Sequence, residues 1–152
     1  NGGFNTYASA SSKIPSDWAA KKFSSVDGKD KKVKKEGAAS LKITGNGETK
    51  TLTQSITTSG AAGDAFTFSF HVKGNSVPAG PPALGKCLGQ ILLYSGTTLV
   101  DSKSLKCPTG TFGFKQKTLT FNASAAYDKV VIKFTYSKPS GTVWFDLVSL
   151  VR

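Results

Sequence analysis

The segment TVWFDLVSL, residues 142–150, is apolar or small and neutral at eight of nine positions; the exception is Asp146, between Phe145 and Leu147. A carboxylate among apolar side chains needs a partner, because burying an unpaired charge costs far more than burying a neutral polar group. Backbone amides or a lysine would serve. A second feature with chemistry is the pair Cys87 and Cys107, each ten residues from Thr97. A hairpin turn centred on Thr97 sets them opposite one another, where Cα atoms lie ~4.5–5.5 Å apart, a spacing that suits a disulfide. Closing a loop of about 20 residues would contribute roughly 3 kcal/mol and implies an oxidising, extracellular compartment, either secreted or at the cell surface. Two buried free thiols are the alternative. No CxxC or clustered His accompanies them, so metal binding at the cysteines is not expected.

Signatures of catalysis are missing. His71 is the single histidine, and no nucleophile motif adjoins it. The nine acids show no paired spacing of the glycosidase kind. There is no glycine-rich phosphate loop before a helix and no HExxH. The expectation is a protein that is not an enzyme.

Lys and Arg number 20 against 9 Asp and Glu, a net charge of +11, and every cation except Arg152 is a lysine. Readers of nucleic acid lean on the bidentate fork of Arg, so nucleic acid is not the partner this composition leads one to expect. Seven lysines fall between Lys21 and Lys35, with only Asp27 and Asp30 among them. The run reads either as a solvated edge that resists strand pairing or as a patch for an anionic surface or acidic polymer.

These residues must be positioned by strands, because period-two alternation runs through most of the chain. AFTFSFHV (65–72) sets Phe66, Phe68, Phe70 and Val72 on one face and Thr67, Ser69 and His71 on the other. KVVIKFTYS (129–137) sets Val130, Ile132, Phe134 and Tyr136 against Val131, Lys133, Thr135 and Ser137. KTLTQSIT (50–57) and KQKTLTFN (115–122) behave alike. Turn signals at Asn46-Gly47, Ser59-Gly60, Gly96 and Ser140-Gly141 separate the runs. The pattern predicts nine or ten strands in an all-β, two-sheet antiparallel sandwich. A short helical turn is allowed at Pro15–Ala20, and the breaker-rich NSVPAGPPALGK (75–86) reads as an exposed loop. With 152 residues, of which 38% are apolar, one core is expected, hence a single domain over residues 1–152. No run approaches the ~20 apolar residues of a membrane helix, so no membrane insertion is expected. A missing signal peptide and the absence of Met suggest a chain that starts after processing or is cut from a longer one.

NGGFN (1–5), Trp18, GAASLKITG (37–45), LTQSI (52–56), AGDAFTFSFHVKG (62–74), ILLYSG (91–96) and SGTVWFDLVSL (140–150) follow one another in an order that resembles the jelly-roll carbohydrate-binding modules of families 4, 9 and 22, which are galactose-binding-like β-sandwiches. The resemblance spans essentially the whole chain. It implies jelly-roll topology and non-catalytic binding of polysaccharide or cell-surface glycan on a sheet face or at loop tips. It also implies a structural calcium where the first and last strands meet. Asp146 would supply its carboxylate, and Asn5 would stand where the family usually has an acid; carbonyls near residues 1–3 and 35–39 would complete the shell. Leu147 replaces the second acid of the closing motif. One carboxylate and one amide oxygen give such a site less charge than two carboxylates.

Sugar recognition needs rings that stack on pyranose faces, with amides and hydroxyls in reach of the sugar. Tyr94, Gln90, His71, Gln116 and Trp18 are the candidates. For Trp18 the competing role is a plug over one end of the sandwich; for Tyr94, a packed ring with its hydroxyl at the rim; for His71, simple solvation. A structural or adhesive extracellular sandwich, partnered by self-association or by neighbouring domains of a larger chain, is the alternative function.

Overall fold

The computed structural model describes residues 1–81 and 85–152. Ten strands form: β1 (Ala19–Lys21), β2 (Gly28–Asp30), β3 (Ser40–Thr44), β4 (Lys50–Gly60), β5 (Ala65–Val77), β6 (Cys87–Ser95), β7 (Thr98–Lys106), β8 (Gly110–Asn122), β9 (Tyr127–Tyr136) and β10 (Thr142–Val151). They build two five-stranded sheets, ordered β1-β4-β9-β6-β7 and β2-β3-β10-β5-β8, with antiparallel pairing throughout. This is the predicted two-sheet β-sandwich with jelly-roll topology. Among the described residues there is no helix, and so none long and apolar enough to cross a membrane.

Alternation decides which side chains meet between the sheets. Phe66, Phe68, Phe70 and Val72 of β5 face Val130, Ile132 and Phe134 of β9, all essentially without solvent. Phe134 and Phe145 lie 4.3 Å apart between ring centroids, and Phe70 meets Phe134 edge-on at 5.1 Å. Trp18 closes one end, with its centroid 6.0 Å from Phe134 and 5.4 Å from Phe4. The cysteines pair as predicted: Cys87 and Cys107 form a disulfide across the β6–β7 hairpin with Cα atoms 5.4 Å apart.

Two local expectations need correction. Residues 15–20 form no helix: Ser16 and Asp17 make a turn in which the Trp18 N–H donates to the Pro15 carbonyl, and Ala19 already pairs with β4. The 75–86 stretch is only partly loop, because β5 runs on to Val77 against β8; residues 82–84 lie outside the described residues. The lysine run spans both sheets. Lys21 ends β1, an edge strand of the first sheet, whereas Lys29 sits in β2, an edge strand of the second, so the chain changes sheets between them.

That crossing is held by an ion pair no solvent reaches. The Lys50 ammonium lies 2.7 Å from the Asp27 carboxylate, with side-chain exposures of 1% and 0%. Lys50 also donates to the Thr44 carbonyl, while Asp27 accepts the N–H groups of Thr44 and Ser24 and the Ser24 hydroxyl. Burial alone pushes the Asp27 carboxyl up. Lys50 and the amide donors outweigh it and hold the group below its ordinary value.

Candidate functional site

The outer face of the β1-β4-β9-β6-β7 sheet carries the second phase of the alternation. Its register stacks side chains in rows: Lys21, Thr51, Thr135, Leu88 and Lys106; then Ala19, Thr53, Lys133, Gln90 and Ser104; then Ser55, Val131, Leu92 and Ser102; then Thr57, Lys129, Tyr94 and Leu99. A groove of about 380 Å³ runs over this face, lined by Lys21, Lys22, Thr51, Tyr94, Val131 and Lys133 among others. Tyr94 is half-buried at one end of it. The Lys129 ammonium lies 4.8 Å from the Tyr94 ring centroid and donates to the Gly96 carbonyl. Gln90 stands beside Lys133 on the same face. Chemically the groove offers one ring, an apolar floor of Leu92 and Val131, threonine hydroxyls and ammonium groups.

The structure divides the five sugar-contact candidates. Tyr94 and Gln90 share this face. His71 and Gln116 pair with one another on the outer face of the other sheet. Trp18 is in neither place. It is 7% exposed, wedged between Phe4 and Phe134, and its indole N–H donates to the Asn1 carbonyl. It therefore acts as the plug, because its ring faces are spent on the core. Sequence reasoning singled out Lys21 and Lys22 within the 21–35 run but not Lys133, since Lys21 and Lys133 lie over a hundred residues apart and only sheet order brings them together. It also passed over Trp144, which faces outward on β10 between Lys42 and Lys73 and donates to Asp30 at 2.9 Å. Its signal was present: Trp144 is out of phase with the inward Val143 and Phe145.

Asp146 is fully buried yet on the outward phase of β10, opposite His71. A β-bulge explains how. From Asp146 to Ser149, β10 advances three residues while β5 advances two, from His71 to Ser69. Leu147, at φ 47, occupies the left-handed region that a branched side chain rarely adopts. The bulge aims the carboxylate at N–H groups: one oxygen accepts from Leu147 at 2.8 Å, the other from Lys35 at 2.8 Å and Glu36 at 3.3 Å. The N-terminal segment docks beside it, with the Val148 N–H donating to the Gly2 carbonyl. A Cβ on Gly2 would sit 1.8 Å from the Val148 oxygen, so only glycine allows this approach. Asn5 does not join Asp146. Its side-chain oxygen accepts the Ala38 N–H at 2.6 Å, against Gly37 at φ 68.

Those contacts bear on calcium. Both Asp146 oxygens and the Asn5 oxygen point at N–H donors, and among the described residues no three His, Cys, Asp or Glu side chains assemble for a metal. A calcium shell wants six to eight oxygens with negative charge among them. This donor set is arranged for amides and does not fit that shell. Two polar atoms lie unpartnered nearby, the Tyr7 hydroxyl and His71 Nδ1. Burial pushes the Tyr7 hydroxyl up to about 12, and the Asp146 charge adds to the shift.

No family model matches the chain. No curated protein is similar to it in sequence. Solved structures do share its shape. The xylan-binding CBM22-1 domain of Paenibacillus barcinonensis Xyn10C superposes with a TM-score of 0.62 at 12% identity, over 97% of this chain and 89% of that one. TmCBM61, solved in complex with β-1,4-galactotriose, gives 0.59 at 15% identity, over 92% and 91%. A cyclase from Fischerella sp. TAU gives 0.66 at 17%, over 99% and 93%. The enzymatically active domain of bacteriophage CBA120 tailspike protein 4 gives 0.70 at 17% over 89% of this chain, which spans only 19% of that one. At such identities the likeness is one of fold: the chain has the sandwich that carbohydrate-binding modules share with other proteins.

Proposed function

We propose that this chain is a non-catalytic carbohydrate-binding sandwich, of the kind met in families 4, 9 and 22, belonging to a secreted or cell-surface protein. It takes a polysaccharide or surface glycan along the groove on the β1-β4-β9-β6-β7 face. The observation that carries the reading is that groove, with Tyr94 at its end and hydroxyl and ammonium donors along its length. The likeness to the xylan-binding and galactotriose-bound modules supports it. The disulfide supports an oxidising compartment. The test is affinity electrophoresis through a panel of neutral and acidic polysaccharides. Wild type is retained by at least one, and Tyr94→Ala weakens that retention about tenfold, the scale of one lost stacking contact. A folded protein retained by none of the panel would sink the reading.

One observation favours a second reading. Tyr94 is the single ring lining the groove, and Lys129 lies over it. A structural or adhesive extracellular sandwich needs no stacking platform. Concentration-dependent sedimentation, combined with no retention on any polysaccharide, would favour it.

A further inference from the structure

Resting on the groove as a glycan site, we propose that its ligand is an anionic polysaccharide, one bearing carboxylate or sulfate on its pyranose rings. Neutral glycans are held chiefly by stacking on several rings with polar groups at the edges. This face offers one ring and a spread of ammonium groups instead. Lys21 and Lys106 stand at opposite edges of one row, Lys133 at the centre of the next, and Lys129 two rows further on beside Tyr94. Four strand spacings of about 4.8 Å separate the edges, so the charges span roughly 19 Å across the sheet. None of the residues that the register places on this face is acidic. Lys22 lines the groove too, and it pairs with Glu48 at the exposed rim. Among the described residues, no carboxylate lies within salt-bridge distance of Lys21, Lys106, Lys129 or Lys133.

No acid on the face balances these lysines, and no two of them stand opposite one another, because β4 and β6 separate β1, β9 and β7. Acids are placed elsewhere on this molecule: Asp27 is buried with Lys50, Asp101 holds Lys103, and Asp128 caps the Gly96 N–H. An anion lying along the groove would accept charge-assisted hydrogen bonds from several lysines. A sugar resting on Tyr94 would meet the Lys129 ammonium beside the ring. Lysine suits this task, since a flexible point charge follows anionic groups whose positions vary along a polymer.

The experiment measures retention on two matched pairs: polygalacturonate against its carboxyl-reduced form, and dextran sulfate against dextran. A single-stranded oligothymidylate of equal charge serves as the comparison polyanion. The expected result is at least tenfold tighter binding to the anionic member of one or both pairs, falling steeply with salt, and weaker binding to the oligonucleotide. Lys133→Gln and, separately, Lys21→Gln/Lys106→Gln should each weaken binding several-fold. Lys31→Gln/Lys34→Gln, in the segment after β2 in the other sheet, should leave it unchanged. Equal or tighter binding to the neutral members would overturn the inference while leaving the glycan site standing. Equal binding of the oligonucleotide, or equal loss in the Lys31/Lys34 variant, would reduce the face to an unspecific cationic surface and overturn it too. No binding to either pair or to any neutral polysaccharide would overturn both this inference and the reading beneath it.

Discussion

The ammonium of Lys50 and the carboxylate of Asp27 meet at 2.7 Å where neither side chain reaches solvent. The pair joins the start of β4 to the segment in which the chain leaves one sheet for the other. Its removal by halves is costly, because the remaining charge stays buried alone. Lys50→Met should destabilise the fold by about 3–5 kcal/mol, and the double change Asp27→Leu/Lys50→Met should recover much of the loss. Urea midpoints of the three proteins check this; a single variant as stable as wild type would contradict it.

The same pair sets an acid limit. Asp27 titrates below its ordinary value of 3.8 in the fold. Its contribution is therefore complete above about pH 3.8 and is lost as pH falls through the lower folded value. Urea midpoints between pH 5 and 2 should decline for wild type, and this component should be missing from the double variant.

Asp146 draws three N–H groups to itself. Asp146→Asn sets an NH₂ against one of those donors and should cost about 2–3 kcal/mol, since hydrogen bonds to charged groups are the strong ones. Chelation with EDTA should leave the melting temperature of wild type where it was. A fall of several degrees, reversed by added calcium, would show a bound ion and contradict the fit argued from these contacts.

Tyr7 and Tyr136 set an alkaline limit. Burial holds both hydroxyls at about 12, against an ordinary value of 10.0. The unfolded chain loses these protons near pH 10 while the fold keeps them, so stability should fall as pH rises from about 10 towards 12, by up to about 1.4 kcal/mol per pH unit for each tyrosine. Below pH 10 neither contributes. Tyr7→Phe should remove its share of the slope. It should also leave stability at neutral pH unchanged or slightly raised, because the lost hydroxyl has no partner. A loss above about 1 kcal/mol at neutral pH would mean that the hydroxyl is bonded.

The Cys87–Cys107 bridge closes a separation of 20 residues. Cys87→Ala/Cys107→Ala, or reduction of wild type, should cost roughly 3 kcal/mol, read as a lower urea midpoint with unchanged far-ultraviolet circular dichroism.

How much of this could be read from residues alone follows from how far each signal extends. The long strands were legible, because β5 and β9 alternate over enough residues to declare a face. The bridge was legible, because its cysteines are symmetric about the turn. β1 and β2 were not, since three residues cannot establish a period, and their lysines disguised the change of sheet. The buried role of Lys50 had a faint signal: it is in phase with Leu52, whose side chain is fully buried. The bulge had one as well. Inward Val143 and Phe145 are followed by Val148 and Leu150, which pack against the core, a slip of one residue from strict alternation. The groove was legible only in pieces, in Tyr94 and the start of the lysine run, because its residues come from four strands that only topology brings together.

That slip has a consequence for how β10 could evolve or be redesigned. Removing Leu147 alone would restore an unbroken zigzag from Val143 to Leu150, with a better score on any measure of strand regularity. It would also discard the amide that steadies one oxygen of Asp146 and the kink against which Gly2 rests. The irregular residue is the hinge pin of the closure between the chain's first residues and its last strand, and an idealised strand there would be the less secure one.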